Sequence, residues 1–99
     1  MKGKNVALVT GSSRGIGLGV AKELASKGFA IALNAPLLDD ELISAVELLK
    51  SQGADVFAAP FDVCDIDKHS EMLSSIEENL GPLTTLVNNA GVGLSLIHI

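Results

Sequence analysis

The sequence predicts an α/β fold: a doubly wound parallel sheet of four strands, with the chain ending shortly after the fourth. Three observations carry this reading. Short apolar, β-branched runs alternate with longer segments whose apolar residues recur every three or four positions, giving β-α-β-α-β-α-β with short connections. The apolar share is 47% before any of the 10 glycines is counted, which suits strands buried on both faces. The residues that follow the four strands, Gly11, Ala35, Asp62 and Asn89-Ala90-Gly91, then fall along one edge of one sheet as candidate contacts. In open sheets of this kind ligands bind beyond the carboxyl ends of the strands.

Taken in order, the first strand runs from Asn5 to Thr10. The turn Thr10-Gly11-Ser12-Ser13-Arg14-Gly15-Ile16-Gly17 leads it into a helix over Ile16 to Lys27, with Ile16, Val20 and Leu24 one turn apart. Gly28 stands where a left-handed C-cap is wanted. Phe29 to Asn34 reads as the second strand, stopped by Pro36. Asp39 or Asp40 can cap a second helix, which reaches Gln52 with Leu42, Ile43, Val46 and Leu49 on its buried face. Gly53 closes it. Asp55 to Ala59 is the third strand, ended by Pro60. Asp65 is placed to cap a third helix with Ile66, Leu73, Ile76 and Leu80 as its inner stripe. Gly81-Pro82 ends that helix, and Thr84 to Asn88 is the fourth strand.

Composition narrows the function classes. At 99 residues the chain makes one domain but is short for a complete doubly wound enzyme. No apolar run approaches the roughly 18 residues that span a membrane. The basic start Met1-Lys2-Gly3-Lys4 precedes too short an apolar run for a signal peptide. The single cysteine, Cys64, excludes an internal disulfide and agrees with a reducing compartment. A net charge of −5 argues against nucleic acid as a partner. The expectation is a cytoplasmic protein that binds neither nucleic acid nor membrane. Residues 1–93 form a partial nucleotide-binding domain. Residues 94–99, Leu-Ser-Leu-Ile-His-Ile, lack turn or cap chemistry, and they can be encoded by CTG TCT CTT ATA CAC ATC, which resembles a transposon-end sequencing adapter. They are expected to be a non-native tail, with an extra strand as the alternative.

The glycine turn carries the chemistry. A strand that passes through three glycines into a helix presents unpaired N–H groups at the positive end of a helix dipole, which is a seat for a phosphate. Gly11 permits the tight turn, Gly15 lets a pyrophosphate approach the backbone, and Gly17 lets the helix pack closely. The spacing is Gly-x-x-x-Gly-x-Gly rather than Gly-x-Gly-x-x-Gly, and an ordinary strand–helix corner is the plain alternative. The order strand, turn, helix favours a Rossmann-type dinucleotide site.

Three motifs in succession, Thr10 to Gly17, Asp62-Val63 and Asn88-Asn89-Ala90-Gly91, resemble the signatures of the short-chain dehydrogenase/reductases, most nearly the 3-oxoacyl-acyl-carrier-protein reductase group. The resemblance covers residues 4 to 93 and implies a Rossmann-type sheet with the strand order 3-2-1-4. It implies that Gly11, Ser13, Arg14, Gly15, Ile16 and Gly17 wrap the pyrophosphate and adenosine ribose. It also implies that Asp62 accepts from the adenine amine with the Val63 backbone beside it, and that Asn89, Ala90 and Gly91 line the cofactor. Asn88 would tie the fourth strand to its neighbours. For Asp62 a helix-start aspartate is the alternative, and for the two asparagines amides that satisfy loop backbone.

An acid about 20 residues beyond the glycines would mark NAD; that place is Ala35, which cannot bind ribose hydroxyls. Arg14, beside a helix N-terminus, suits the 2′-phosphate of NADP. Pro36, Asp39 and Asp40 weigh the other way, so NADP is favoured and NAD stays open. Cys64 reads as a packed thiol and His69 as solvent-exposed; no metal spacing exists.

The family implies hydride transfer between a nicotinamide and a carbonyl or alcohol, with a serine and a Tyr-x-x-x-Lys pair downstream and a homo-oligomeric full-length form. This chain contains no tyrosine, so no catalytic residue is assigned within it. The cofactor-binding part of an oxidoreductase, inactive by itself, is the first reading. A non-catalytic nucleotide-binding regulatory module is the second.

Overall fold

The computed structural model describes residues 5–63 and 65–89, together with the backbone of 95–98. The elements are β1 (Val6–Val9), α1 (Gly15–Ser26), β2 (Ala30–Ala35), α2 (Asp40–Ser51), β3 (Val56–Pro60), a 3₁₀ turn (Ile66–Lys68), α3 (His69–Leu80), β4 (Thr85–Asn88) and β5 (Ser95–His98). The first four strands are parallel in the order β3-β2-β1-β4, as predicted.

The sheet does not stop there. β5 pairs antiparallel with β4, Thr85 opposite His98 and Asn88 opposite Ser95, so residues 95–98 take the extra-strand alternative and the four parallel strands keep their expected order. A bare β4 would leave a row of amides and carbonyls unpaired along the edge. The six residues between Asn88 and Ser95 can close a hairpin, whereas a parallel neighbour needs a crossover of a dozen or more.

β1 and β2 are buried on both faces, and the alternation along the strands sorts the core into two layers. Ala7, Val9, Ile31, Leu33, Ala35 and Val87 face α1 and α2, packing on Ala21, Leu42, Ala45 and Leu49. Val6, Leu8, Ala30, Ala32 and Ala59 face the opposite way, toward Ile76 of α3. This period of two, read across β1 and β2, is why their sequences are apolar throughout rather than alternating. Truncating Leu42, Leu49 or Ile76 to alanine would each cost about 2–5 kcal/mol. No helix among the described residues is long and apolar enough to cross a membrane.

The helix faces differ from expectation in instructive ways. α1 buries Gly17 and Ala21, with Val20 and Leu24 only partly covered and Ile16 71% exposed. Ala21 is buried in the sheet-facing layer with Leu18, Val20 and Leu24 packed partly buried against it, while Gly17 lies against the Gly11 carbonyl. α2 buries Leu42, Ala45 and Leu49 and leaves Ile43 outside. In the third helical segment, Asp65 caps no helix. The chain first makes the 3₁₀ turn, and α3 starts only at His69. The inner stripe is Met72, Ile76 and Leu80, while Ile66 is 78% exposed. The unbroken helix expected from Asp65 is two pieces, so residues before and after Lys68 share no common face.

Candidate functional site

The carboxyl ends of β1, β2, β3 and β4 meet at one edge of the sheet, and hydrogen bonds join the loops that leave them. Thr10 ends β1. Its amide donates to the Val87 carbonyl at 3.0 Å, and its hydroxyl accepts from the Asn89 amide at 2.8 Å. Asn88 Oδ1 lies 3.2 Å from the same hydroxyl, so Asn88 ties β4 to β1 as expected. Gly11 turns through φ 59, a left-handed conformation that favours glycine. Its carbonyl accepts from Asn89 Nδ2 at 3.1 Å.

Gly17 is held to glycine by this arrangement. A Cβ there would lie 2.3 Å from the Gly11 carbonyl oxygen and 2.7 Å from Asn89 Nδ2. The close approach is between the first turn of α1 and the loops after β1 and β4, rather than between the helix and a strand. Gly15 has φ 61 and open space where its Cβ would point, so the backbone is bare on that side.

Asn34 is the residue that sequence reading missed. It sits in the middle of this network, 1% exposed. Its Oδ1 accepts from the Gly11 amide at 3.0 Å, and its Nδ2 donates to the carbonyls of Ala59 at 2.9 Å and Phe61 at 3.1 Å. Its backbone exchanges bonds with Ser12, amide to Oγ at 2.8 Å and carbonyl from the Ser12 amide at 2.7 Å. One buried amide therefore joins the glycine turn to the ends of β2 and β3. The signal was available: a lone asparagine inside an apolar strand must find partners when buried.

The start of α1 is bare. Arg14 is its N-cap residue with extended backbone and no side-chain cap, and no acid stands in the first turn. Among the described residues the amides of Gly15, Ile16 and Gly17 have no hydrogen-bond acceptor. Such donors at a helix N-terminus carry the positive end of the dipole. Arg14 is 81% exposed, its Nε 3.9 Å from Glu41 Oε1. Unpartnered amides, a glycine open to approach and a neighbouring guanidinium are the donor set that a diphosphate needs. The residues present thus fit a dinucleotide.

Beyond β3, the Phe61 amide donates to the Ala35 carbonyl at 2.9 Å and leads into Asp62 and Val63. His69 is half-buried, not solvent-exposed as expected. Its Nε2 is 2.8 Å from the Val63 carbonyl, and its ring meets Phe61 edge-on at 5.7 Å. Those contacts anchor the Asp62-Val63 loop to α3. Ala35 is 2% exposed and belongs to the core beneath α1 and α2. Gly11, Gly17 and Asn89 are thus brought into contact, and Asp62 and Val63 stand at the same sheet edge. Cys64, Ala90 and Gly91 lie outside the described residues.

Known proteins share this arrangement. Residues 5–98 match the family described as short chain dehydrogenase. The 3-oxoacyl-[acyl-carrier-protein] reductase FabG of Staphylococcus aureus is 40% identical over 92 residues, which is 93% of this chain and 37% of that protein. The crystal structure of L-sorbose reductase from Gluconobacter frateurii, complexed with NADPH and L-sorbose, superposes with a TM-score of 0.82 at 37% identity. The match takes in 92% of this chain and 35% of that one. The 3-oxoacyl-[acyl-carrier protein] reductase from Brucella melitensis in complex with NAD gives 0.83 at 35% identity, over 94% and 36%. The chain spans little more than a third of the length of the relatives it matches.

Proposed function

The chain belongs to the short chain dehydrogenase family, and on that footing we propose that it is the cofactor-binding part of an oxidoreductase that moves hydride between NADP(H) and a carbonyl or alcohol. The observation that carries the reading is the trio of unpartnered amides at Gly15, Ile16 and Gly17 beside Arg14. When bound, the nicotinamide supplies the hydride.

The chain's own residues bind and orient. Gly11 and Gly17 shape the turn, Ser13 and the amides from Gly15 to Gly17 hold the diphosphate, and Arg14 takes the 2′-phosphate of NADP. Asp62 accepts from the adenine amine, a bond that an apolar residue in its place would forgo, with the Val63 backbone beside it. Asn89 holds the Gly11 carbonyl, and with Ala90 and Gly91 it borders the nicotinamide side. A 3-oxoacyl thioester is the substrate class to test first, by analogy with the S. aureus and B. melitensis reductases. The full-length protein is expected to be a homo-oligomer in the cytoplasm.

The test separates binding from turnover. Calorimetric titration of the 99-residue chain with NADPH should show saturable binding, and mixing with a ketoacyl thioester should give no oxidation of NADPH above a blank. The chain has no tyrosine to donate the proton. Absence of binding would refute the site, and turnover would refute the assignment of catalysis to residues outside this chain.

A further inference from the structure

We propose that Glu41 determines cofactor specificity: its carboxylate competes with a ribose 2′-phosphate for Arg14 and Ser13, and so keeps the site close to balance between NADP and NAD. The inference rests on the functional reading above and adds a residue that neither the glycine turn nor the strand ends would single out.

Glu41 stands in the first turn of α2, and its carboxylate reaches across to the opposite loop. Oε1 lies 3.4 Å from Ser13 Oγ, which donates to it, and 3.9 Å from Arg14 Nε. One side chain thus spans the two segments that border the crevice, the turn after β1 and the loop after β2. An acid early in α2 is favoured by that helix's own dipole, but this does not explain why the carboxylate is shared with Ser13 and Arg14.

Elsewhere in this stretch only Asp39 and Asp40 carry charge, and neither is seen to contact Ser13 or Arg14. Ala35 is in the core, and Pro36, Leu37 and Leu38 carry no charge. The Asp39 carboxylate is already engaged by the Leu42 amide. Arg14 is the sole arginine of the chain, so a phosphate dianion arriving there must share its guanidinium with Glu41. A neutral ribose hydroxyl meets no such repulsion and can donate to the same carboxylate.

The experiment is calorimetric titration of NADP⁺ and NAD⁺ into the unmodified chain, the Glu41→Gln variant and an Asp40→Asn control, at low and at high salt. Glu41→Gln keeps the length and polarity of the side chain and removes its charge. NADP⁺ should bind it about five- to tenfold more tightly, while NAD⁺ changes by less than about twofold, and high salt should compress the difference. Asp40→Asn removes one charge from the same helix turn and should leave the ratio within about twofold of the unmodified chain. An unchanged ratio in Glu41→Gln, or equal shifts in both variants, would overturn this inference and leave the functional reading standing. Failure of the unmodified chain to bind either nucleotide would overturn both.

Discussion

α1 and α2 are helices of equal length, 12 residues each, packed on the same layer of the core and starting at the same edge of the sheet. Their beginnings are opposites. α2 opens with Asp39 accepting from the Leu42 amide at 2.9 Å and with Asp40 and Glu41 in its first turn. α1 opens on Arg14, with no cap, no acid and three amides without an acceptor among the described residues. An ordinary helix satisfies its own N-terminus, because unmade bonds and an uncompensated dipole cost stability. α2 does so and α1 does not, and the diphosphate site proposed at the start of α1 accounts for the difference.

The largest effect should come from closing the space that holds the open end in place. Gly17→Ala would drive a Cβ into the Gly11 carbonyl and Asn89. It should lower stability by about 3 kcal/mol and abolish nucleotide binding, read by thermal melting and titration. Asn34→Ala comes next. It strands the Gly11 amide and the carbonyls of Ala59 and Phe61, at a cost of about 2–3 kcal/mol. Nucleotide affinity should fall with it, because the turn loses its tether to β2.

The smaller changes sharpen the contrast between the two helices. Asp39→Ala removes the α2 cap and should cost about 1 kcal/mol in chemical denaturation, with nucleotide affinity unchanged. Arg14→Asp does the reverse to α1, supplying an acidic cap where none exists. It should raise stability by roughly 0.5 kcal/mol while weakening NADP⁺ binding more than tenfold. Gain of stability at the expense of binding is the signature of a helix start reserved for a ligand. If Arg14→Asp bound NADP⁺ as well as the unmodified chain, the two helix starts would be functionally equivalent.

Much of this was legible in the sequence because it follows from local rules. The succession of strands and helices, a cap at Asp39 or Asp40 and the helix-closing glycines at Gly28 and Gly53 each depend on a few neighbouring residues. What escaped depends on contacts distant in the chain. Asn34 is 23 residues from Gly11 and 25 from Ala59, and nothing in its neighbourhood tells which backbone groups it will meet. Glu41 reads as helix-start acid until folding brings Ser13 and Arg14 beside it. Of the predicted inner face of α1, Val20 and Leu24 do pack on the core and only Ile16 falls outside it, because periodicity does not register the close approach of Gly17 to the Gly11 carbonyl. β5 was only the second reading of residues 94–99, because pairing with β4 depends on an open edge and a short return rather than on local turn or cap chemistry.

The most direct measurement follows backbone amide resonances of the chain as NADP⁺ is added. The amides of Gly15, Ile16 and Gly17 should shift progressively and saturate together, while the capped amide of Leu42 stays where it was. Movement of the Leu42 amide by as much as the other three, or no movement at Gly15 to Gly17 under conditions where nucleotide binds, would contradict the claim that the start of α1 holds the diphosphate.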